Sequence, residues 1–135
     1  MHYPSYSKLK EVSMQNLAYI GDAVYELYVR QELLLKSELK ASKLNHLVVK
    51  YVNAKFQAQA LISLKDKLSA EEYDIARRGR NANPGTKAKH ASIGEYRLAT
   101  AFEALIGYLH LKQEFSRLEE LLSYTLSLNM EEEDK

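Results

Sequence analysis

Two acidic residues stand where an ordinary amphipathic helix would not put them. From Met14 to about Leu35 the chain carries Leu17, Ile20, Val24 and Leu27 on one stripe at helical spacing. Winding at about 100° per residue sets Asp22 nearly opposite that stripe, where a surface helix should be polar. Instead Asp22 shares its side with Ala18, Tyr25 and Val29, and Gly21 is adjacent. A later segment repeats the anomaly. Leu98, Phe102, Leu105 and Leu109 form a core stripe, and Glu103 lies on another side with Ala99, Thr100, Gly107 and His110. Small residues around an acid let a second helix approach closely. A glycine in mid-helix costs about 1 kcal/mol relative to alanine, so Gly107 is expected to have a packing reason.

Carboxylates withdrawn from water are costly unless they are paired or bound to a cation. Two of them on two packed helices suit a site for Mg²⁺ and a phosphodiester, because a hard cation takes oxygen ligands and phosphate oxygens and waters can complete its shell. The stretch between them points the same way. From Arg77 to His90 the sequence RRGRNANPGTKAKH carries Arg77, Arg78, Arg80, Lys87 and Lys89 and no acid. In a chain of net charge +1 such a segment suggests a local phosphate contact rather than general stickiness. Plainer readings stand beside these. Asp22 could cap a helix that starts one residue later, Glu103 could pair with Arg97 or His110, and the basic stretch could be a solvated loop.

The elements that would position these residues are helical throughout. The first long helix is followed by a second starting near Ser42, a candidate N-cap, with Leu44, Leu47, Val48, Tyr51 and Val52 as its buried face. Ser69 and Glu72 have capping-box spacing and open a short helix that ends in the basic loop. Ser92 and Glu95 repeat that spacing before the helix bearing Glu103. A last helix, roughly 113–128, uses Phe115, Leu118, Leu121 and Leu122, and the acidic tail 129–135 is expected to fray. No segment alternates with period two, so no strand is expected. The reading is all-α, one compact helical domain over residues 1–135, with the loop of about 82–91 as its longest irregular connection.

Composition sets outer bounds. At 135 residues, 46% hydrophobic and 27% charged, the chain has room for one domain with a real core. Cysteine is absent, which excludes disulfides, thiolate zinc sites and cysteine nucleophiles. No apolar run is long enough for a bilayer and no basic-then-apolar leader is present, so no membrane partner is expected and the cytoplasm is the expected compartment.

The same residues carry a family resemblance. Leu17 to Glu26, LAYIGDAVYE, resembles the signature helix of the ribonuclease III family, and Phe102 to Gly107, FEALIG, resembles its second motif. With RRGRNA and YRLATAFEALIGYLHL, the chain looks most like the short branch of that family, Mini-ribonuclease III, which consists of the catalytic domain alone. The resemblance implies a ribonuclease III endonuclease fold and metal-dependent cleavage of double-stranded RNA. Asp22 and Glu103 would then be catalytic and hold Mg²⁺, with Mn²⁺ able to substitute. It further implies a homodimer through the signature helix, with Ala18, Tyr25 and Val29 at the interface, and maturation of a large-subunit ribosomal RNA precursor. No double-stranded RNA-binding domain is expected, so RNA contacts fall to Arg78, Arg80, Asn81, Lys87 and Lys89. Departures from the larger relatives are specific: Gln15, Ala18 and Thr100 stand where those enzymes carry acids.

Three other readings compete. A non-catalytic RNA-binding protein on the same fold would accommodate Gln15, Ala18 and Thr100. A helical protein-interaction module explains the stripes but leaves the sheltered acids and the basic loop unused. A histidine-ligated phosphohydrolase finds no HxxxH or His-Asp pair among His2, His46, His90 and His110.

Overall fold

The computed structural model describes residues 1–82 and 92–133, and among these there are helices and no strand. In chain order they are α1 (Tyr6–Leu9), α2 (Met14–Lys36), α3 (Ala41–Val52), α4 (Ala54–Leu64), α5 (Ala70–Asn81), α6 (Ile93–Leu111) and α7 (Phe115–Glu133), with a 3₁₀ turn at Lys65–Lys67. The all-α reading holds. No helix among the described residues is long and apolar enough to cross a membrane.

Local chemistry sets most of the boundaries. Ser13 accepts the Asn16 amide at 3.1 Å and starts α2. Both expected capping boxes are closed. Ser69 accepts from the Glu72 amide at 3.1 Å while Glu72 accepts from the Ser69 amide at 2.9 Å, and Ser92 and Glu95 make the same exchange at 3.0 and 3.2 Å.

Four expectations change. Ser42 lies inside α3, which starts after Lys40 without a side-chain cap. The break into α4 comes from Asn53, whose Oδ1 accepts from the Phe56 amide at 2.8 Å while its Nδ2 donates to the Val49 carbonyl at 3.0 Å, so one side chain ends one helix and starts the next. The last helix begins at Phe115 rather than near Gln113, which sits at φ 64°, and it continues to Glu133 through part of the expected tail. Phe115 itself is half exposed and packs edge-on against Tyr3 and His110.

Helix α6 is the central element. Ala101, Phe102, Ala104, Leu105, Ile106 and Leu109 are all fully buried along it, and α2, α4 and α5 pack around it. Its run of buried positions is what a helix wrapped on several sides must have. The closest wrap is with α2. A Cβ placed on Gly21 would lie 1.7 Å from the carbonyl oxygen of Glu103, and one on Gly107 would lie 1.9 Å from that of Leu17. The two helices therefore meet backbone to backbone at a pair of glycines. That is the packing reason expected for Gly107.

This crossing also reassigns the faces of α2. The side holding Leu17, Ala18, Gly21, Tyr25 and Val29 is the buried one, whereas Ile20 and Val24 are only partly covered and Leu27 is 59% exposed. The expected interface at Ala18, Tyr25 and Val29 is thus corrected at Tyr25 and Val29. Tyr25 and Val29 have no exposed surface, the Tyr25 ring stands edge-on to Phe102 at 5.0 Å, and its hydroxyl donates to the Tyr51 carbonyl at 2.7 Å. Neither pattern nor hydropathy says which of two apolar sides faces inward. Here the glycine chose.

Candidate active site

Asp22 follows Gly21 on α2, and Glu103 supplies the carbonyl that Gly21 meets on α6. The contact that brings the helices together consequently brings the two carboxyl groups together, close enough to share a proton. Asp22 is well inside α2 and is not a cap. The expected alternatives for Glu103 also fall away, since its neighbours are Asp22 and Gln57, while the His110 ring packs on Tyr3 and Phe115 at 5.6 and 5.8 Å.

The two acids are not equivalent. Asp22 is exposed at the rim, whereas Glu103 reaches inward. Burial pushes the Glu103 carboxyl up to about 9, the nearby Asp22 carboxyl adds to the rise through both a shared hydrogen bond and charge repulsion, and the Gln57 amide opposes it. Both acids open onto one cavity of about 210 Å³, lined by Gln15, Ala18, Tyr19, Asp22, Tyr96, Thr100 and Glu103. The three positions where larger relatives were expected to carry acids therefore border the same opening as the two acids that remain. Thr100 directs its hydroxyl to the Tyr96 carbonyl at 3.0 Å.

Two lining residues, Tyr19 and Tyr96, were not anticipated. Their signal lies in spacing: Gln15, Tyr19 and Asp22 on α2, and Tyr96, Thr100 and Glu103 on α6, each follow an i, i+4, i+7 row that one helix face must share. Among the described residues no group of three or more Asp, Glu, His and Cys side chains gathers at any point.

The basic residues are placed differently from expectation. Arg77, Arg78, Arg80 and Asn81 belong to the last turns of α5 rather than to a loop. Gly79 lets that end of α5 lie close on α6, since a Cβ there would stand 3.0 Å from the Ala101 Cα. Arg77 pairs with Asp74 at 2.8 Å, and Arg78 lies 3.9 Å from the same carboxylate. Arg78, Arg80 and Asn81 are exposed. Arg80 and Arg77 border a second groove, of about 310 Å³, together with Leu61, Lys65, Leu68 and Tyr73. The structure does not bring these basic groups into the cavity of Asp22 and Glu103. Lys87 and Lys89 lie outside the described residues.

Comparison with known proteins bears on the same residues. The ribonuclease III domain matches residues 15–114, which include both acids and both glycines of the helix crossing. The chain belongs to the ribonuclease III family. Its curated relatives include Mini-ribonuclease 3 of Streptococcus pneumoniae, 46% identical over 82% of this chain and 88% of that protein. Mini-ribonuclease 3 of Staphylococcus aureus is 43% identical over 89% of this chain and 91% of its own length. The crystal structure of a Fusobacterium nucleatum protein superposes with a TM-score of 0.81 at 30% identity, over 87% of this chain and 95% of that one. Within the ribonuclease III family, then, this chain is most readily compared with members named Mini-ribonuclease 3.

Proposed function

We propose that this protein is a divalent-metal-dependent endoribonuclease that cuts double-stranded RNA as a homodimer, with a precursor of large-subunit ribosomal RNA as its natural substrate. The observation that carries this reading is the convergence of Asp22 and Glu103 on one cavity across the Gly21–Gly107 crossing. Membership of the ribonuclease III family and the Mini-ribonuclease 3 name of its relatives supply the reaction class.

The donor set fits a hard divalent cation. Two carboxyl groups crowd each other at the cavity wall, and burial beside Asp22 makes Glu103 resist ionisation, a penalty that a bound cation would offset. Asp22 and Glu103 would hold Mg²⁺, or Mn²⁺ in its place. When bound, the ion supplies a water of lowered pKa and positive charge beside the phosphorus that gains negative charge.

The chain's own residues do the rest. Glu103, anchored from the interior, fixes where a ligand can sit, and Asp22 meets the substrate side from the rim. Because Ala18 and Thr100 add no charge to the wall, phosphate oxygens and waters would have to complete the coordination, and metal binding would be weaker in the free protein than in the RNA complex. Arg78, Arg80 and Asn81 at the end of α5, with Lys87 and Lys89 beyond it, contact the phosphate backbone. Duplex RNA of A form is read mainly by shape, phosphates and 2′-hydroxyls, so little base selectivity is expected. The partner copy sits on the outward side of α2, where Leu27 and Leu34 are each 59% exposed, seven residues apart on one stripe.

The deciding experiment is Asp22→Asn, assayed for cleavage of a long RNA duplex with Mg²⁺ and with chelator, and weighed in solution. Lost cleavage with dimer mass retained is expected. Mg²⁺-dependent cleavage at the wild-type rate would overturn the assignment. Duplex binding by the wild-type protein without any cleavage would favour the reading of a non-catalytic RNA-binding protein, for which Gln15, Ala18 and Thr100 at the cavity wall are the specific support.

A further inference from the structure

Among the described residues three polar side chains are buried: Gln57, Glu72 and Thr125. Glu72 is held by Arg117 and by the Ser69 amide, and Thr125 donates to the Leu121 carbonyl at 2.9 Å. Gln57 is different. It is 3% exposed on α4, and its Nε2 is, among the described residues, the buried side-chain nitrogen left without a hydrogen bond. An amide donor stranded in this way costs about 1–3 kcal/mol. Its buried neighbours along α4 are Ala58, Ala60, Leu61 and Leu64, among which a leucine of similar size would be cheaper. Stability of the fold does not account for it.

Position does. Helix α4 packs across α6, and the Gln57 amide stands near enough to the Glu103 carboxyl to favour its charged form, yet outside ordinary hydrogen-bond geometry, while the cavity wall that Glu103 shares is made by residues of α2 and α6. Glu103 thus lies between an acid at the rim and an unspent donor behind it. We propose that Gln57 is a positioning residue, its unpaired Nε2–H held ready for the Glu103 carboxylate in the charged form that binds a divalent cation beside Asp22. The amide acts on the cation only through Glu103. Carboxylates that bind metals are commonly held by such an outer donor, and losing it typically lowers metal affinity 10- to 100-fold. This inference rests on the metal-dependent reading given above.

The test uses Mn²⁺ itself, followed by EPR of the free ion, on full-length wild-type protein, Gln57→Leu and Asp22→Asn, with melting temperatures taken in chelator. For Gln57→Leu we expect Mn²⁺ affinity to fall roughly 10- to 100-fold, while the metal-free melting temperature stays level or rises because a stranded donor is gone. A residue that merely supported the core would move both in the same direction. Unchanged Mn²⁺ affinity in Gln57→Leu, with wild type binding and Asp22→Asn not, overturns the role of Gln57 and leaves the metal site standing. Failure of the wild-type protein to bind Mn²⁺ at all overturns both. Should Gln57→Leu not fold, Gln57→Met keeps the length without the donor and is held to the same two readouts.

Discussion

The crowding of Glu103 makes a prediction that needs no substrate. Its carboxyl is raised from the ordinary 4.5 to about 9 by burial first and Asp22 second. An acid with a raised folded pKa keeps its proton in the native state at pH values where the unfolded chain has released it. The native state therefore binds more protons, and stability falls as pH rises between those two limits. The slope is about 1.4 kcal/mol per pH unit for one proton. Between pH 6 and pH 8 the metal-free protein should lose about 3 kcal/mol, and above about pH 9 the loss should level off. For a domain of this size that corresponds to a fall of about 10 °C in melting temperature. Glu103→Gln keeps the shape and removes the charge, so its stability should be nearly flat over the same range and should exceed wild type at pH 8. Thermal melts in chelator, at one protein concentration and across pH 5–9.5, measure both. A flat wild-type profile, or an equal slope in Glu103→Gln, would refute the argument that the fold holds this acid away from water beside a second one.

Other substitutions probe other links. Gly107→Ala puts a Cβ 1.9 Å from the Leu17 carbonyl oxygen, so despite better helix propensity it should cost toward the upper end of about 1–3 kcal/mol and abolish cleavage, read by denaturant melts and a duplex assay. Arg117→Met strands Glu72, which Arg117 grips through Nε at 2.9 Å and Nη2 at 2.8 Å, and should cost about 3 kcal/mol at neutral pH. Arg117 holds the Glu72 carboxyl below its usual range, so that contribution is present above about pH 4.5 and fades as pH falls; the variant should lose less stability than wild type on acidification. Arg80→Ala should weaken duplex binding and reduce its salt slope by about one unit, and an unchanged slope would remove Arg80 from the contact surface. If the proposed homodimer forms through the outward face of α2, Leu27→Glu should shift it to monomer in analytical ultracentrifugation while leaving the helix content unchanged.

What could be read from the residues depended on whether the signal was local. Capping boxes are local, and both were legible at Ser69 and Ser92 because three-residue spacing is all they need. The break at Asn53 was hidden because the same apolar period continues through it, and only the two-way bonding of one side chain ends α3 and begins α4. The inward face of α2 was misassigned for a deeper reason. Leu17, Ile20, Val24 and Leu27 make a more apolar stripe than Ala18, Gly21, Tyr25 and Val29, yet of that stripe only Leu17 is buried, and the second side packs because a glycine permits an approach that larger side chains forbid. Asp22 and Glu103 stood out against helical periodicity, so the pair was legible. Gln57 was not, since a glutamine in an apolar helix acquires meaning only when its neighbour across the fold is known.

The same crossing explains why the site can exist with so few acids. Gly21 meets the backbone of Glu103 itself, so the distance between helices and the distance between carboxyls are one quantity set by one contact. If both groups were charged their repulsion would push the helices apart, and the packing of Tyr25, Phe102, Leu105 and Leu109 around the crossing would resist it. A core made of such side chains is stiff, because interiors are packed as densely as organic crystals. On the proposed metal-dependent reading, a site held by stiffness rather than by surplus charge would stay poised for a cation in the free protein, and the negative charge it lacks would arrive with the phosphate of the substrate. Metal and RNA should therefore bind with mutual reinforcement. Mg²⁺ affinity measured with and without a non-cleavable duplex tests this directly, and equal values in the two states would show that the two carboxylates suffice alone.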